Sequence, residues 1–169
     1  SDRPPESWQL IGPCAMGPID TGVLPERPES AKPKVAEVAG PESGFSDGRT
    51  YEGHLQWRAV KTQGVGLINA NALVGTVDQA SCYVACTVTS PDDQVTHAIV
   101  GADNFSQTYV NGDLIAGAQD FGGNQGFVYP VLRLNKGANT VVVKLINNKA
   151  DWFLRFLIAD PRNNLVITV

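Results

Sequence analysis

From residue 50 onward, apolar and polar residues alternate with a period of two, in short runs separated by glycine, asparagine and aspartate. The clearest run is QASCYVACTVTSP, in which every second residue from Ala80 to Val88 is a small or branched apolar residue. Successive side chains of a strand point to opposite faces, so this alternation predicts a β-strand with one buried face. No long window keeps its apolar residues at helical spacing.

Turn residues separate these runs. Asn111-Gly112 lies between QTYV and DLIA, and this dipeptide predicts a hairpin because both central residues of a type I′ turn need positive φ. Asn135-Lys136-Gly137 turns the chain into the apolar run NTVVVKLIN. Roughly eight or nine short strands with this punctuation predict an all-β fold, an antiparallel β-sandwich of the jelly-roll type.

The first 50 residues have a different composition and hold most of the eleven prolines. Proline cannot donate to a strand ladder, so we expect a Pro-rich N-terminal extension over residues 1–50, packed on a β-sandwich domain at 51–169. One exception within the extension is SWQLIGP, where Trp8 and Leu10 alternate as in a short strand. Residues 24–48 contain few large apolar anchors, which predicts a long loop.

Composition and charge narrow the function classes. Apolar residues make up 43% and charged residues 18%, as in a folded globular protein. The net charge is −4 and no run of Lys or Arg exists, which argues against a nucleic-acid binder and a membrane-surface helix. No apolar stretch is long enough to span a bilayer, so no membrane insertion is expected. Without a leader sequence, Ser1 resembles the start of a processed or excised fragment.

The three cysteines leave two alternatives open. Cys82 and Cys86 are four residues apart in a predicted strand, so they lie roughly 13 Å from each other and cannot form a disulfide together. One of them pairs with Cys14, or all three are buried thiols. Their spacing does not match a zinc site.

The sequence offers little for catalysis. His54 and His97 have no nucleophile motif nearby, and the Gly-rich segment at 117–126 opens no predicted helix, so it reads as a flexible loop. A glycosidase needs only two facing carboxylates, and Asp103, Asp120 and Asp151 all fall at predicted turns. Aspartate is common at turns for local hydrogen-bonding reasons, so we predict that the protein is not an enzyme.

Several motifs within residues 51–161 resemble the galactose-binding-domain-like β-sandwich, and in particular the carbohydrate-binding accessory modules of bacterial polysaccharide-degrading enzymes. These motifs are a strand ending in Ser90-Pro91, a turn at residues 101–104, YVNGDLI, L-x-K-G-x-N-T-V-V-V-K and DWFLRFLI. The resemblance implies a jelly-roll sandwich whose members bind sugars at the loop ends, bind them on a sheet face, or bind nothing. It also implies a structural Ca²⁺ in many members, for which no ligands can be assigned in this sequence.

Aromatic side chains near polar loops are the candidates for sugar recognition, because a flat ring stacks on the apolar face of a sugar while amides and carboxylates bind its hydroxyls. Residues 147–151 form a polar loop of this kind directly before Trp152, at the place where relatives with a loop-end site bind sugars. The predicted carbohydrate-binding residues are Trp57, Trp152, Asp151, Asn147, Asn148, Asn104 and Phe105.

Each aromatic candidate has a structural alternative. Trp57 and Trp152 are core residues if their rings point inward, and Phe105 is structural if it folds back to cap the sandwich. Secondary aromatic candidates are Tyr51, Phe121 and Tyr129. Arg58 and Arg155 flank the tryptophans, where each either binds the carboxylate of an acidic sugar or lies on the solvent face of its strand.

The sequence therefore predicts a non-catalytic carbohydrate-binding module that recognises a polysaccharide or oligosaccharide and needs no cofactor. We expect it to be secreted, extracellular or periplasmic, and tethered to a catalytic domain in a bacterial parent protein. The alternative is a structural or protein-interaction β-sandwich domain with no sugar site, in which Trp57 and Trp152 are both buried. A third reading, a small glycan-active enzyme, requires two loop carboxylates that face each other.

Overall fold

The computed structural model describes residues 1–15, 57–121, 124–125 and 127–169 of the 169-residue chain. Within these residues the secondary structure is almost entirely strand. In chain order the elements are β1 (Asp2–Arg3), β2 (Ser7–Ala15), β3 (Arg58–Lys61), β4 (Leu67–Asn69), α1 (Ala70–Val74), β5 (Ala80–Ser90), β6 (Gln94–Asp103), β7 (Phe105–Val110), β8 (Asp113–Phe121), β9 (Asn124–Gln125), β10 (Val131–Leu134), β11 (Gly137–Asn147), β12 (Phe153–Ala159) and β13 (Val166–Thr168).

These strands form two sheets, and every strand pairing between described residues is antiparallel. The small sheet has the order β1-β12-β6-β10, with β4 also paired to β12. The large sheet has the order β3-β2-β5-β11-β7-β8-β9, with β13 also paired to β5. The prediction of an all-β antiparallel sandwich is confirmed.

The core lies between the inner faces of the two sheets. The alternate residues of β5 from Ala80 to Val88 are all buried there, as their period of two predicts. From the small sheet, Leu154, Phe156 and Ile158 of β12 meet them. The Trp8 ring of β2 packs edge-on against Phe156, with 5.3 Å between ring centroids. Such perpendicular aromatic packing is favourable because a ring edge carries positive charge and a ring face negative charge.

Two of the motifs that carry the family resemblance meet at one buried side chain. Asn111 and Gly112 have φ of 50° and 84°, as the predicted Asn-Gly hairpin between β7 and β8 requires. Asn139 of β11 is fully buried, and its Oδ1 accepts hydrogen bonds from the Asn111 side chain and the Asn135 amide, both at 2.9 Å. Its Nδ2 donates to the carbonyls of Val88 and Asn135. The asparagines of these motifs therefore join two turns.

The N-terminal residues belong to the sandwich itself. β1 pairs with β12, and β2 lies between β3 and β5 in the large sheet. Trp8 and Leu10 are fully buried on the inner face, which confirms the short strand expected there. The boundary expected at residue 50 therefore does not separate residues 1–15 from the sandwich, and residues 16–56 lie outside the described part.

Two local features differ from expectation. Residues 101–104 were predicted to form a turn, but β6 runs through Asp103, β7 begins at Phe105, and the chain crosses between the sheets at Asn104. The second feature is the short helix α1, whose N-cap is Asn69. The Oδ1 atom of Asn69 accepts a hydrogen bond from the Ala72 amide in the first turn of the helix. Five residues are too few to show helical periodicity, so only the capping asparagine could have indicated this helix.

Cys82 and Cys86 are both buried on the inner face of β5. Cys86 is a free thiol, and burial raises its pKa to about 12. It is therefore protonated and unreactive at neutral pH. The side chain of Cys14 lies outside the described part, so a pairing that involves Cys14 stays untested.

Candidate functional site

The polar loop at residues 147–151 was predicted to border a sugar site with Trp152, and the structure assigns Trp152 to the core. Its side chain is 1% exposed, and its indole Nε1 donates to the Leu145 carbonyl at 3.2 Å. A ring enclosed in this way cannot present a face to a sugar. The stacking prediction for Trp152 is corrected: the tryptophan before β12 points inward and Phe153 points outward.

The amide side chains around the same loop are occupied in holding it. Asn147 is fully buried, and its Nδ2 donates to the Val77 carbonyl at 2.7 Å. Asn104 Oδ1 accepts from the backbone amides of Asn148 and Lys149, at 2.7 and 3.4 Å. The structure thus brings Asn104, Asn147 and Asn148 together as predicted, but their hydrogen bonds hold the loop in place.

Two further segments hold the loop from the other side. Asp78 Oδ1 accepts from the Ala150 amide at 3.2 Å, and Asn71 Nδ2 donates to the Ala150 carbonyl at 3.0 Å. Gln79 donates to both the side chain and the backbone carbonyl of Asn148. The loop end is therefore a network of internal hydrogen bonds between three parts of the chain.

The remaining predicted residues of this end differ in exposure and position. Asp151 is exposed, and Phe105 is half-buried in β7, a strand and not the loop that was expected. Asp103 accepts a hydrogen bond from the Asn104 side chain at 2.7 Å, while the side chains of Asp120 and Phe121 lie outside the described part.

Trp57 belongs to a different surface, the outer face of the large sheet. Its half-buried ring packs with Tyr83 and Leu114 against a small buried cluster of Ala85, Tyr109 and Val142. Lys144 Nζ lies 5.9 Å from the centroid of the Tyr83 ring. The neighbouring Arg58 donates to the Leu73 carbonyl at the end of α1.

The outer face of the small sheet carries the most exposed aromatic side chains of the described part. In the segment that leads into β10, Val128, Pro130 and Leu132 point inward, and Phe127, Tyr129 and Val131 point outward. Tyr129 is 63% exposed and Phe127 39% exposed. Sequence analysis left open which set of alternates faces inward, and named only Tyr129 as a secondary candidate.

The Phe127 ring packs over Gly101 of β6, where the absence of a side chain leaves room for it. A Cβ atom at Gly101 would come within 2.9 Å of the Phe127 ring, a distance that side chains do not adopt. The mutual hydrogen bonds of Val128 and Val100 fix this segment beside β6. Gly101, which sequence analysis placed in a turn, thus makes room for an aromatic ring on the sheet.

The register across the small sheet surrounds these rings with apolar and basic residues. Val131 lies opposite His97, and Arg133 opposite Val95, in the pairing of β10 with β6. Arg155 of β12 lies opposite Gly101, on the other side of β6 from Phe127. The face therefore combines an aromatic and aliphatic centre with the hydrogen-bond donors His97, Arg133 and Arg155. We call it the outer face of the small sheet.

Alternation alone could have revealed this face only in part. The segment GFVYPVLRL shows apolar residues at nearly every position, so neither set of alternates is favoured by its pattern.

No cluster of three or more His, Cys, Asp or Glu side chains able to hold a metal ion occurs among the described residues. The buried Oδ1 atoms of Asn71 and Asn147 have no hydrogen-bond partner there, and such oxygens are Ca²⁺ ligands. Ca²⁺ takes six to eight oxygens, so two amide oxygens do not define a site, and structural calcium stays a prediction. In the same part of the chain, no helix is long and apolar enough to cross a membrane.

No protein-family model and no curated protein matches the sequence. Among solved structures, an anti-sigma factor domain-containing protein is 13% identical, with a TM-score of 0.49 over 69% of this chain and 41% of that one. A family 35 carbohydrate binding module from an environmental isolate is 13% identical, with a TM-score of 0.44 over 63% of this chain and 80% of that one. Another family 35 module, from Clostridium thermocellum, is 15% identical, with a TM-score of 0.36 over 55% and 86%.

At these identities the likeness concerns the fold alone, and the chain spans less than half of the first of these structures. All three TM-scores are below 0.5. The described strands form an antiparallel β-sandwich.

Proposed function

We propose that the protein is a non-catalytic carbohydrate-binding module whose ligand lies on the outer face of the small sheet. The observation that carries the proposal is the exposed Tyr129 ring, which lies near Phe127 in the segment that leads into β10. Backbone hydrogen bonds of Val128 and Pro130 hold this segment beside β6. A flat ring buries the apolar face of a sugar at low entropic cost.

Hydrogen-bond donors at the border of the face supply orientation. The guanidinium groups of Arg133 and Arg155 donate to hydroxyl or carboxyl oxygens, and the imidazole of His97 both donates and accepts. Arg155 was expected either to bind an acidic sugar or to lie on the solvent face of its strand. It lies on the outer face of the small sheet, which matches the second alternative and leaves its guanidinium on the same face as Tyr129. Affinity for one chain segment is modest, and tethering to a catalytic domain in an exported parent protein supplies the rest.

Trp57 is retained as a second candidate position for stacking. Its ring is half-buried beside Tyr83, with Lys144 near the Tyr83 ring as a donor. This surface lies on the opposite side of the sandwich from Tyr129, so single substitutions separate the two positions.

The experiment is affinity electrophoresis on plant, algal and microbial polysaccharides, with calcium and with a chelator. We expect retention on one polymer class, weakened at least about tenfold in Tyr129→Ala and unchanged in Val166→Ala. Val166 is a matched control because it is 56% exposed on the large sheet. Loss in Trp57→Ala, with Tyr129→Ala unaffected, moves the site to the large sheet.

Failure to bind any polymer by a folded sample contradicts the proposal and favours a structural or protein-interaction domain. Release of reducing ends from the retained polymer contradicts the non-catalytic assignment. Retention that disappears with the chelator identifies a calcium requirement.

A further inference from the structure

The free edge of the small sheet differs from the other edges in the described part. β1 and β9 have two residues each, too few to pair with another chain. β3 presents the exposed charges of Arg58 and Lys61, which discourage pairing. β4 and β13 have three residues each. β8 is longer and pairs with β9 only at its last two residues, but its described side chains include no exposed apolar one. The β10 edge, extended by the segment from residue 128, exposes Val131 and Tyr129.

Hydrogen bonding identifies which backbone groups this edge offers. The Val128 carbonyl and amide both bond to Val100, and the Pro130 carbonyl accepts from Ala98. Leu132 continues the series opposite Thr96. Even-numbered residues therefore direct their backbone groups at β6. The backbone N–H and C=O groups of Tyr129, Val131 and Arg133 point away from β6, because these groups alternate along an antiparallel strand.

Pro130 does not block this edge. Proline protects an edge when its missing N–H is one that would face the incoming strand. Here the nitrogen of Pro130 faces β6, so all three outward donors at Tyr129, Val131 and Arg133 remain.

We propose that two copies of the chain associate through this edge, with the two β10 strands antiparallel about a twofold axis at Val131. This register places Val131 opposite the same residue of the second copy, and Tyr129 opposite Arg133. All three are hydrogen-bonded pairs, and their side chains lie on the same outer face. Each copy thus contributes one guanidinium to the ring of the other, a favourable cation–π arrangement.

Among twofold axes through an outward-facing residue of this edge, charge complementarity favours the one at Val131. A twofold axis at Arg133 would put two guanidinium groups opposite each other, which is destabilising across a strand pair. An axis at Tyr129 would leave both arginines without an aromatic partner. Arg133 has no ion pair or hydrogen bond to any described residue that would compete for it.

The dimer joins two small sheets into one continuous sheet, so their outer faces form a single surface. The contact is small, and we expect association to be weak and concentration-dependent. Tyr129 and Arg133 belong to both proposals, so a sugar on the Tyr129 ring would compete with the guanidinium of the second copy. Association itself needs no glycan, and its test therefore contains none and relies on Val131.

The test is sedimentation velocity of the full chain without glycan, from low micromolar to near-millimolar concentration. We expect a monomer–dimer equilibrium that Val131→Lys weakens at least about tenfold, because two lysines would then lie opposite each other. Val95→Lys is the matched control: Val95 is 60% exposed on the same face, but it is in β6, away from the edge. Arg133→Glu should weaken the dimer by about tenfold.

Cysteine cross-linking tests the register directly and does not depend on the lysine variant folding. Hydrogen-bonded partners in antiparallel strands have Cα atoms about 5.5 Å apart, within disulfide range. Mild oxidation should therefore cross-link Val131→Cys through residue 131, as mapped by mass spectrometry, and leave Val95→Cys monomeric. A chain that stays monomeric at every concentration, or equal cross-linking of both variants, would overturn the proposal.

Discussion

The loop end and the outer face of the small sheet use polar and aromatic residues in opposite ways. At the loop end, hydrogen bonds within the loop network occupy the asparagines Asn104, Asn147 and Asn148. Trp152 is enclosed in the core. On the sheet face, the Tyr129 side chain is exposed in the segment that leads into β10. Residue type and loop position predicted a site at the loop end. The polar side chains there are already hydrogen-bonded within the loop, which favours a site on the sheet face.

The physical reason is that a loop that leaves a sheet must satisfy its own backbone groups. Buried N–H and C=O groups need partners, and nearby amide side chains are the most convenient ones. The segment that carries Tyr129 is held by backbone hydrogen bonds of Val128 and Pro130 with β6, so the Tyr129 side chain is not needed to hold it and is available to a ligand.

The largest expected effect comes from Trp152→Ala. Removing a fully enclosed indole leaves a cavity and should lower the free energy of unfolding by about 3–5 kcal/mol. Tyr129→Ala should change it by less than about 1 kcal/mol, because the ring is exposed. Urea denaturation of both variants measures the difference. Similar costs for the two substitutions would remove the distinction between the two regions.

Asp160 is a fully buried carboxylate at the other end of the sandwich, and it also holds a loop by hydrogen bonds. Arg3 donates to it at 2.6 Å, and the amides of Asn164 and Leu165 donate at 3.0 and 3.3 Å. Burial alone would raise the pKa of Asp160, but these hydrogen bonds outweigh it and hold the pKa below its usual value. The ionised Asp160 carboxylate therefore stabilises the folded state. This stabilisation is complete at pH values above the pKa of an unfolded aspartate, about 4, and is lost as the pH falls through the lower pKa of the folded state.

Asp160→Asn should therefore lower the free energy of unfolding by about 2 kcal/mol at neutral pH and flatten its acid dependence below about pH 4. Urea midpoints measured between acid and neutral pH test this. Asp92→Asn is the control, since Asp92 pairs with Arg162 at 2.7 Å but both side chains are about half exposed. Exposed pairs contribute little, so an effect at Asp92 as large as at Asp160 would contradict the burial argument.

Sequence analysis predicted the fold more fully than the site, for reasons visible in individual residues. The period of two in β5 and the Asn111-Gly112 turn are local signals, and both are confirmed. Whether Trp152 or Phe153 points inward depends on the register of β12 with β6, which no local pattern contains. The same holds for Gly101, whose role depends on a ring 26 residues further along the chain. The domain boundary at residue 50 was predicted from proline content alone. Proline content gives no information about strand pairing, so it did not indicate that β2 lies inside the large sheet.

A third prediction concerns the loop itself. Asn104→Ala removes the acceptor of the Asn148 and Lys149 amides and should cost about 1–2 kcal/mol. Hydrogen exchange at these two amides should accelerate, as measured by NMR. Asp151→Ala, an exposed residue of the same loop, should change stability by less than about 0.5 kcal/mol. If Asn104→Ala instead leaves exchange unchanged and weakens glycan retention, the loop end is the binding site after all.

The last prediction concerns Gly101, where a small change in stability should accompany a loss of glycan binding. A methyl group at this position meets the Cε1 and Cδ1 atoms of Phe127 at 2.9 and 3.0 Å, so the ring must lift from the sheet. Because the ring is the mobile end of a partly exposed side chain, Gly101→Ala should alter the free energy of unfolding by no more than about 1 kcal/mol. Glycan retention should nevertheless fall severalfold, since the flat surface beside Tyr129 is lost.

Phe127→Leu is the matched control: it should reduce retention to the same extent, and combining the two substitutions should add little because both act on one ring. Full retention in Gly101→Ala would show that the position of Phe127 is irrelevant to the ligand and would leave Tyr129 as the stacking residue of this face.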